Sequence, residues 1–556
     1  MKLFLTLVLP FTLAAQQPVI TALTNNASYT PSPLPGSSIA PGSIFAVFGE
    51  NLGPRQLVQS GFPLMAELAG TRVLISAGGT ELNAYLLYSS SNQLAAVLPS
   101  NTPIPPVGNA LARVIYNGRT SEPVAFSIAR NAPGLFTLNS AGKGPAVLTD
   151  AEFNVLTWNR AAQAGQTVIA WGTGLGATTS PDNQPAPVFD PPLAVELLVG
   201  GRPATVRYRG RAPGYAGLDQ IVFDVPPGVR GCGVSLVLRA GVSLSNFTTI
   251  PVAAPGERAC SDLNGLTAAE LNNVPARGLR TGSITLTRLR SLTRASGLVY
   301  ETRADSAVAS FDQYSAATLL SSLRLGAISF GNCAVQTFRG ESANDPAPST
   351  PLDAGPGLTF QGPLGSRTVL RLEPGFYGGW LGESIYQNNI LQPGGIPGIP
   401  FVGGGLPAFL DPGVYTVGNG TGGLEVGGLL ARVTVPTAVE WTNISDINTV
   451  SRARDLTIRW TGGNPATDFV TVTGAASRGN VEAVFACTAA SGDGQLRVPP
   501  EVLALLPATE LLEGVPTGSL TVYNSPLREA ARFVAPGLDW GILRYQLATT
   551  KNVAFE

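Results

Sequence analysis

The 556-residue chain contains no histidine. That removes the side chain on which Ser-His-Asp and Cys-His nucleophilic sites, imidazole acid–base catalysis and histidine-ligated metals all depend. Lysine is close to absent, since beyond Lys2 only Lys143 and Lys551 occur. Lys143 lies in the turn Ala141-Gly142-Lys143-Gly144-Pro145 and Lys551 in the last few residues, so both are expected in solvent rather than in a Ser-Lys dyad. Carboxylate-pair hydrolysis remains open because it needs only two acids. Glu373, Glu383 and Asp411, near Phe376, Tyr377 and Trp380, are the densest local group, read first as loop acids beside aromatic residues. The chain is therefore expected to be non-catalytic, and a secreted carboxylate-dependent hydrolase of polysaccharide or peptide is the alternative.

One stretch gathers aromatic rings and amides: Phe376, Tyr377, Trp380, Tyr386 and Asn388. Exposed rings flanked by amide donors and acceptors are the residue types that hold sugar rings. These five are the candidate ligand-binding residues, on a segment read as loop-rich and weighed against a loop that packs its own aromatics. Trp441 and Trp460 alternate with strand residues and are read as core.

The four cysteines are too far apart for paired Cys-x-x-Cys zinc ligands. Two disulfides are expected instead: Cys232–Cys260, which bracket a strand and its exit, and Cys333–Cys487 as the longer bridge. Gly172-Thr173-Gly174-Leu175-Gly176 has the look of a phosphate loop, but Ala177 to Asp182 is a poor helix opening. No cofactor and no metal are expected.

The elements around these residues are strands. Gly and Pro, 65 and 46 in number, punctuate the chain too often for long helices. Lys2, the apolar run Leu3 to Leu13 and the small pair Ala14-Ala15 follow the order of a secretory signal peptide, residues 1–15. Charged residues make up only 13% of the chain and the net charge is −1, so no field draws it to nucleic acid or to anionic lipid. The arginines are read as scattered.

An internal repeat organises the first half. Ala40-Pro41-Gly42-Ser43-Ile44 through Gly53 matches Gln163-Ala164-Gly165-Gln166-Thr167 through Gly176. Downstream, hairpins around Gly78-Gly79 and Gly200-Gly201 correspond, as do Asn92 to Pro99 and Asp219 to Pro226. About seven short strands per unit is the spacing of an immunoglobulin-like β-sandwich. The expected fold is all-β: tandem immunoglobulin-like β-sandwiches followed by a β-rich C-terminal half. The expected units are 16–130 and 131–255 for the sandwiches, 256–436 for a β-rich domain with long Gly/Pro loops, and 437–556 for a C-terminal β-sandwich. In the strand Val234–Arg239, Val234, Leu236 and Leu238 should face the core and the residues between them water.

The run Ala212-Pro213-Gly214-Tyr215-Ala216-Gly217-Leu218-Asp219-Gln220-Ile221 resembles the hallmark of the Solibacter-type uncharacterised domain family. So do Asn26-Ala27-Ser28-Tyr29, Ile39-Ala40-Pro41-Gly42-Ser43 and Asn131-Ala132-Pro133-Gly134-Leu135-Phe136. The resemblance covers residues ~20–255 and implies IPT/TIG immunoglobulin-like modules of exported acidobacterial proteins, with no chemistry attached. A secreted or cell-envelope protein without a membrane span after signal cleavage follows as the expectation. Its partner is expected to be an extracellular polysaccharide or an envelope protein, bound for attachment or scaffolding.

Overall fold

A computed structural model describes residues 17–106, 109–188, 193–262, 265–295, 298–315, 329, 331–339, 349–387, 390–391, 406–512, 514–527 and 531–556. The expected signal segment 1–15, a short helix expected at 316–325, Asn388, and most of the two loops expected at 340–356 and 392–412 lie outside the described residues.

Alternating strands dominate, and the chain is all-β. In the first unit Val19–Asn25, Ile44–Glu50, Gln93–Val97 and Tyr85–Ser89 form one sheet in that order, continued by Val58–Gln59. Val124–Phe126, Ala110–Tyr116, Thr71–Ala77 and Thr80–Asn83 form the other. Dividing consecutive strands between two sheets in this way is the immunoglobulin arrangement. The second unit repeats it, with Thr167–Thr173, Asp219–Asp224 and Thr205–Arg211 facing Thr248–Val252, Gly231–Ala240 and Val195–Val199. Both Gly-Gly pairs turn their hairpins with positive φ at each residue, which a side chain would oppose. Both copies also carry a bulge at the same place, between Leu86 and Tyr88 and between Val206 and Tyr208. Each sandwich closes over its own apolar core.

The motif residues of the tandem meet at the junction between the sandwiches. Arg211 and Asp219 form a buried ion pair, and Arg211 donates to the carbonyls of Gly42 in the first unit and Gly176 in the second. Asp219 also accepts from the amide of Leu175. Gly217 lies so close to the first unit that a Cβ would sit 2.8 Å from Ile44 Cγ1. The Asn25 amide donates to Ala132 O at 2.9 Å. The glycine run at 172–176 is thus the bend into this junction.

The C-terminal half packs around two cores that part near residue 436, yet the strands do not separate there. One sheet of 16 strands runs through it. Leu279–Ala295 and Leu298–Tyr314 form a long hairpin where the sequence pattern suggests separate strands at 282–289, 297–303 and 307–311, because the Ala304-Asp305-Ser306 step stays extended and paired. The terminal strand Trp540–Phe555 pairs in parallel with the first arm of that hairpin and antiparallel with Gly518–Pro526. Leu543, Tyr545 and Leu547 belong to the core of the 279–435 side, whereas Val553 and Phe555 belong to the core of the 437–526 side. A 16-residue strand spans roughly 50 Å, enough for both.

Two disulfides, Cys232–Cys260 and Cys333–Cys487, are present. The second joins directly opposed residues of Cys333–Arg339 and Val481–Ala490, which carries residues 333–339 into the second core. Trp441 and Trp460 are buried in that core. Val237, expected to face water, is buried there too, together with Leu34 and Phe247, so its strand is covered on both faces.

Breaking a buried ion pair by removing one partner costs about 3–5 kcal/mol, because the other charge stays buried. Arg211→Ala should cost that much in denaturant unfolding of the N-terminal tandem, and Arg211→Met/Asp219→Leu distinctly less. A loss under about 1 kcal/mol for Arg211→Ala would show that the pair is not what locks the junction. Peptide mapping of the unreduced protein should return the two disulfides above, and Cys333→Ser/Cys487→Ser should cost about 2–5 kcal/mol.

Candidate functional site

The expected loop at 376–389 is a strand, Phe376–Gln387, between Gly365–Glu373 and Leu298–Tyr314. Directly paired residues share a sheet face, and the register sorts the candidate residues. Trp380 opposes Ser306, and Gly378 opposes both Val308 and Leu370. This outer face carries Phe376, Trp380, Leu370, Leu372 and Val308, all exposed, with Trp380 at 52% and Leu370 at 64%. A Cβ on Gly378 would touch Leu372 and Phe376, so the absent side chain keeps the centre of the patch low. Four residues of extended strand set Phe376 and Trp380 roughly 13 Å apart.

Tyr377 faces the other way and leaves the candidate set. It is fully buried, packed edge-on against Phe311 at 5.6 Å, and its hydroxyl donates to Gly355 O at 2.7 Å. Alternation along a strand puts neighbouring rings on opposite faces, so Phe376 and Tyr377 cannot act together. Tyr386 is also separated from Trp380. A bulge between Asp305 and Ser306 on the partner strand, where Leu381 is the extra residue, shifts the parity and turns Tyr386 to the inner face. There the Arg303 guanidinium lies 4.6 Å above its ring.

The inner face holds residues that the sequence reading missed. Along the long hairpin it is apolar at Ile284, Leu286, Ala307 and Ala309, then charged at Arg288, Arg290, Arg303, Asp305 and Glu301. Arg288 makes two 2.8 Å bonds to the buried Asp305 carboxylate and a third, at 3.2 Å, to Asp411. The amides of Phe409 and Leu410 donate to the same Asp305. Glu301 accepts from Arg290 at 2.7 Å and from Arg303 at 2.6 Å. Burial opposes its ionisation, but these two guanidiniums outweigh burial and hold its pKa below the usual carboxylate range. The arginines open on a cleft of about 330 Å³ lined also by Leu410, Pro436, Val439 and Thr549. The signal was available: Arg288-x-Arg290 and Glu301-x-Arg303-x-Asp305 alternate at the period of a strand, and arginines read as scattered converge once the two strands pair.

The three acids considered for hydrolysis do not come together. Glu373 opposes Phe376, seven residues along the strand from Glu383, which is roughly 23 Å. Retaining and inverting glycosidase carboxylates are about 5–9.5 Å apart. Glu383 is buried opposite Ala304, on the face away from Asp305, whereas Asp411 is tied through Arg288 to the Asp305 side. The lysines are not simply solvated. Lys143 lies 4.5 Å from the Phe338 ring centre, and Lys551 donates to Ile444 O at 2.7 Å and Asn448 Oδ1 at 2.9 Å.

A further buried acid sits where the second sandwich meets the C-terminal half. Asp262 accepts from the Cys232 amide at 3.0 Å and from the Ser329 hydroxyl at 2.6 Å. Burial pushes its pKa up to about 6, against the hydrogen bonds that favour the carboxylate. Arg202 and Arg230 line the same opening. No group of His, Cys, Asp and Glu suited to holding a metal is found among the described residues. No helix among them is long and apolar enough to cross a membrane.

No family model matches the chain, and no curated protein matches it. Among solved structures it is similar to the full extracellular region of plexin A4, at 14% identity over 42% of this chain, with a TM-score of 0.17. The chain spans only 18% of that protein's length. It is also similar to SGBP-B of a Bacteroides ovatus mixed-linkage glucan utilization locus, in complex with a mixed-linkage heptasaccharide. That likeness covers 87% of this chain and 98% of the other at 9% identity, with a TM-score of 0.14. A chimeric titin Z1Z2 tandem matches at 13% identity over 43% of this chain and 99% of its own length, with a TM-score of 0.12. Superpositions this loose carry no inference about the site, and the fold assignment rests on the strand order above.

Asp262 gives the protein a defined pH response. Below about pH 3 the folded and unfolded chains both hold its proton. As pH rises toward 6 the unfolded chain ionises first, so stability falls, by at most about 3 kcal/mol, and then levels off. Asp262→Asn should flatten that part of the profile relative to the parent, measured as unfolding free energy between pH 4 and 7. Parallel profiles for the two proteins would remove Asp262 as the cause.

Proposed function

We propose that this is an exported, non-catalytic binding or scaffolding protein that holds an extracellular polysaccharide on the outer face of its C-terminal sheet. The observation that carries the reading is the exposed platform of Trp380 and Phe376, bordered by Leu370, Leu372 and Val308 on three adjacent strands. A flat apolar face with two rings suits stacking against sugar rings, and a paired sheet holds both rings at a fixed separation. Ser306 and Ser310, opposite Trp380 and Phe376, supply hydroxyls beside them. The signal-like segment 1–15 and the two disulfides support an oxidising compartment outside the cytoplasm. The lack of histidine and the separation of Glu373, Glu383 and Asp411 favour binding over hydrolysis.

A glycan-array screen of the mature protein should identify a polysaccharide ligand. Trp380→Ala should weaken its binding about 30-fold, the loss expected when a Trp anchor worth about 2 kcal/mol is removed. Unchanged affinity in Trp380→Ala, or an array without a single binder, would overturn the platform. Turnover of a polysaccharide or peptide, abolished by Glu373→Gln or Asp411→Asn, would establish the hydrolase instead.

A further inference from the structure

The cleft on the inner face of the same sheet is a second, chemically different site. Arg290 and Arg303 stand directly opposite each other on paired strands. Like charges in that position destabilise a sheet, and the one carboxylate between them, Glu301, leaves that end of the cleft with a formal excess of one positive charge. The opposite excess lies at the other end, where Arg288 is shared by Asp305 and Asp411. Glu440 stands on the rim.

Among the described residues the two guanidiniums keep donors unused. Each makes one bond to Glu301, and Arg290 Nε is buried without a partner among the described residues. The side chains are 40% and 38% exposed, so N–H groups other than the buried Arg290 Nε are open to the cleft. Stacking on Tyr386 fixes the Arg303 plane. Beside Arg290 stands Thr549, its pair on the terminal strand, and Leu410, Pro436 and Val439 line the same cleft with apolar surface. A planar fork of donors, a hydroxyl and an apolar wall in about 330 Å³ match a small ring that carries a carboxylate.

We propose that this cleft binds one uronic-acid residue, its carboxylate on Arg290 and Arg303 and its ring against the Val439 wall. The site is independent of the Trp380 platform, which lies on the opposite face, and the test keeps the two apart. The full chain would be titrated calorimetrically with glucuronate and galacturonate, and with glucose, acetate and inorganic phosphate as comparison probes. At least one uronate should bind more tightly than all three comparison probes. Arg303→Ala should weaken it about tenfold or more, the scale of a charge-assisted contact. Arg303→Lys, which keeps the charge but not the fork, serves if the alanine variant fails to fold and should lose affinity in the same direction. Trp380→Ala should leave uronate binding unchanged. Glucose or acetate binding as well as the uronates, phosphate binding more tightly, or full affinity in Arg303→Lys would each overturn the proposal.

Discussion

The C-terminal half depends on its last strand being paired along both edges. Trp540–Phe555 takes parallel hydrogen bonds from the long hairpin on one side and antiparallel bonds from Gly518–Pro526 on the other. One set of its alternating side chains serves two cores: Leu543, Tyr545 and Leu547 enter the first, Val553 and Phe555 the second. Between them the same face passes through Thr549 and Lys551. The polar interval follows from geometry, because the two cores are centred on different stretches of one straight element and neither reaches its middle. The arginine cleft opens beside that interval, with Arg288 and Arg290 paired to Leu547 and Thr549. It is where the sheet continues and the apolar packing does not.

The N-terminal tandem is bound into the same body. Leu34 from the first sandwich and Val237 and Phe247 from the second are buried in the core of the last. Polar contacts surround them: Asn332 accepts from the amide and hydroxyl of Ser235, and Arg239 bridges Glu196 and Glu501. The conspicuous motifs of the tandem, Arg211 to Asp219 above all, are spent on the joint between sandwiches rather than on a ligand surface. A motif with two glycines and an aspartate invites a functional reading. Here the glycine is needed because Ile44 approaches it, and the aspartate because Arg211 must be neutralised in a dry interface.

Local signals were legible where the physics is local. Gly78-Gly79 and Gly200-Gly201 read as hairpin turns because glycine takes two positive φ angles in succession at no steric cost. Thr267 and Glu270, three residues apart, form a capping box at the short helix Ala268–Asn272, another signal carried by neighbouring residues. What escaped the sequence was non-local. Residues 304–306 fell between two expected strands, and Asp305 is a charge buried in the middle of a paired one. Its partners, Arg288 and the amides of Phe409 and Leu410, lie far off in the chain. The two cores do part near 436, but nothing near that residue reports that residues 540–547 will return to the earlier one.

The division of the candidate site has a single cause. Trp380 and Tyr386 are six residues apart, an even number, and on a regular strand they would share a face. The extra residue at Leu381 reverses the parity, and Gly382 beside it admits Pro407 O so closely that a Cβ would lie 2.0 Å from that oxygen. The backbone crowding that forces glycine there therefore goes with the shift that sends Tyr386 under Arg303. The two surfaces of one strand then differ in kind. The outer one is flat, apolar and open, suited to broad contact with rings. The inner one is narrow and charged, and its donors are held in place by Glu301 and Tyr386. A composition count that places five aromatic and amide residues in one stretch cannot tell these apart; the register of a single paired strand does.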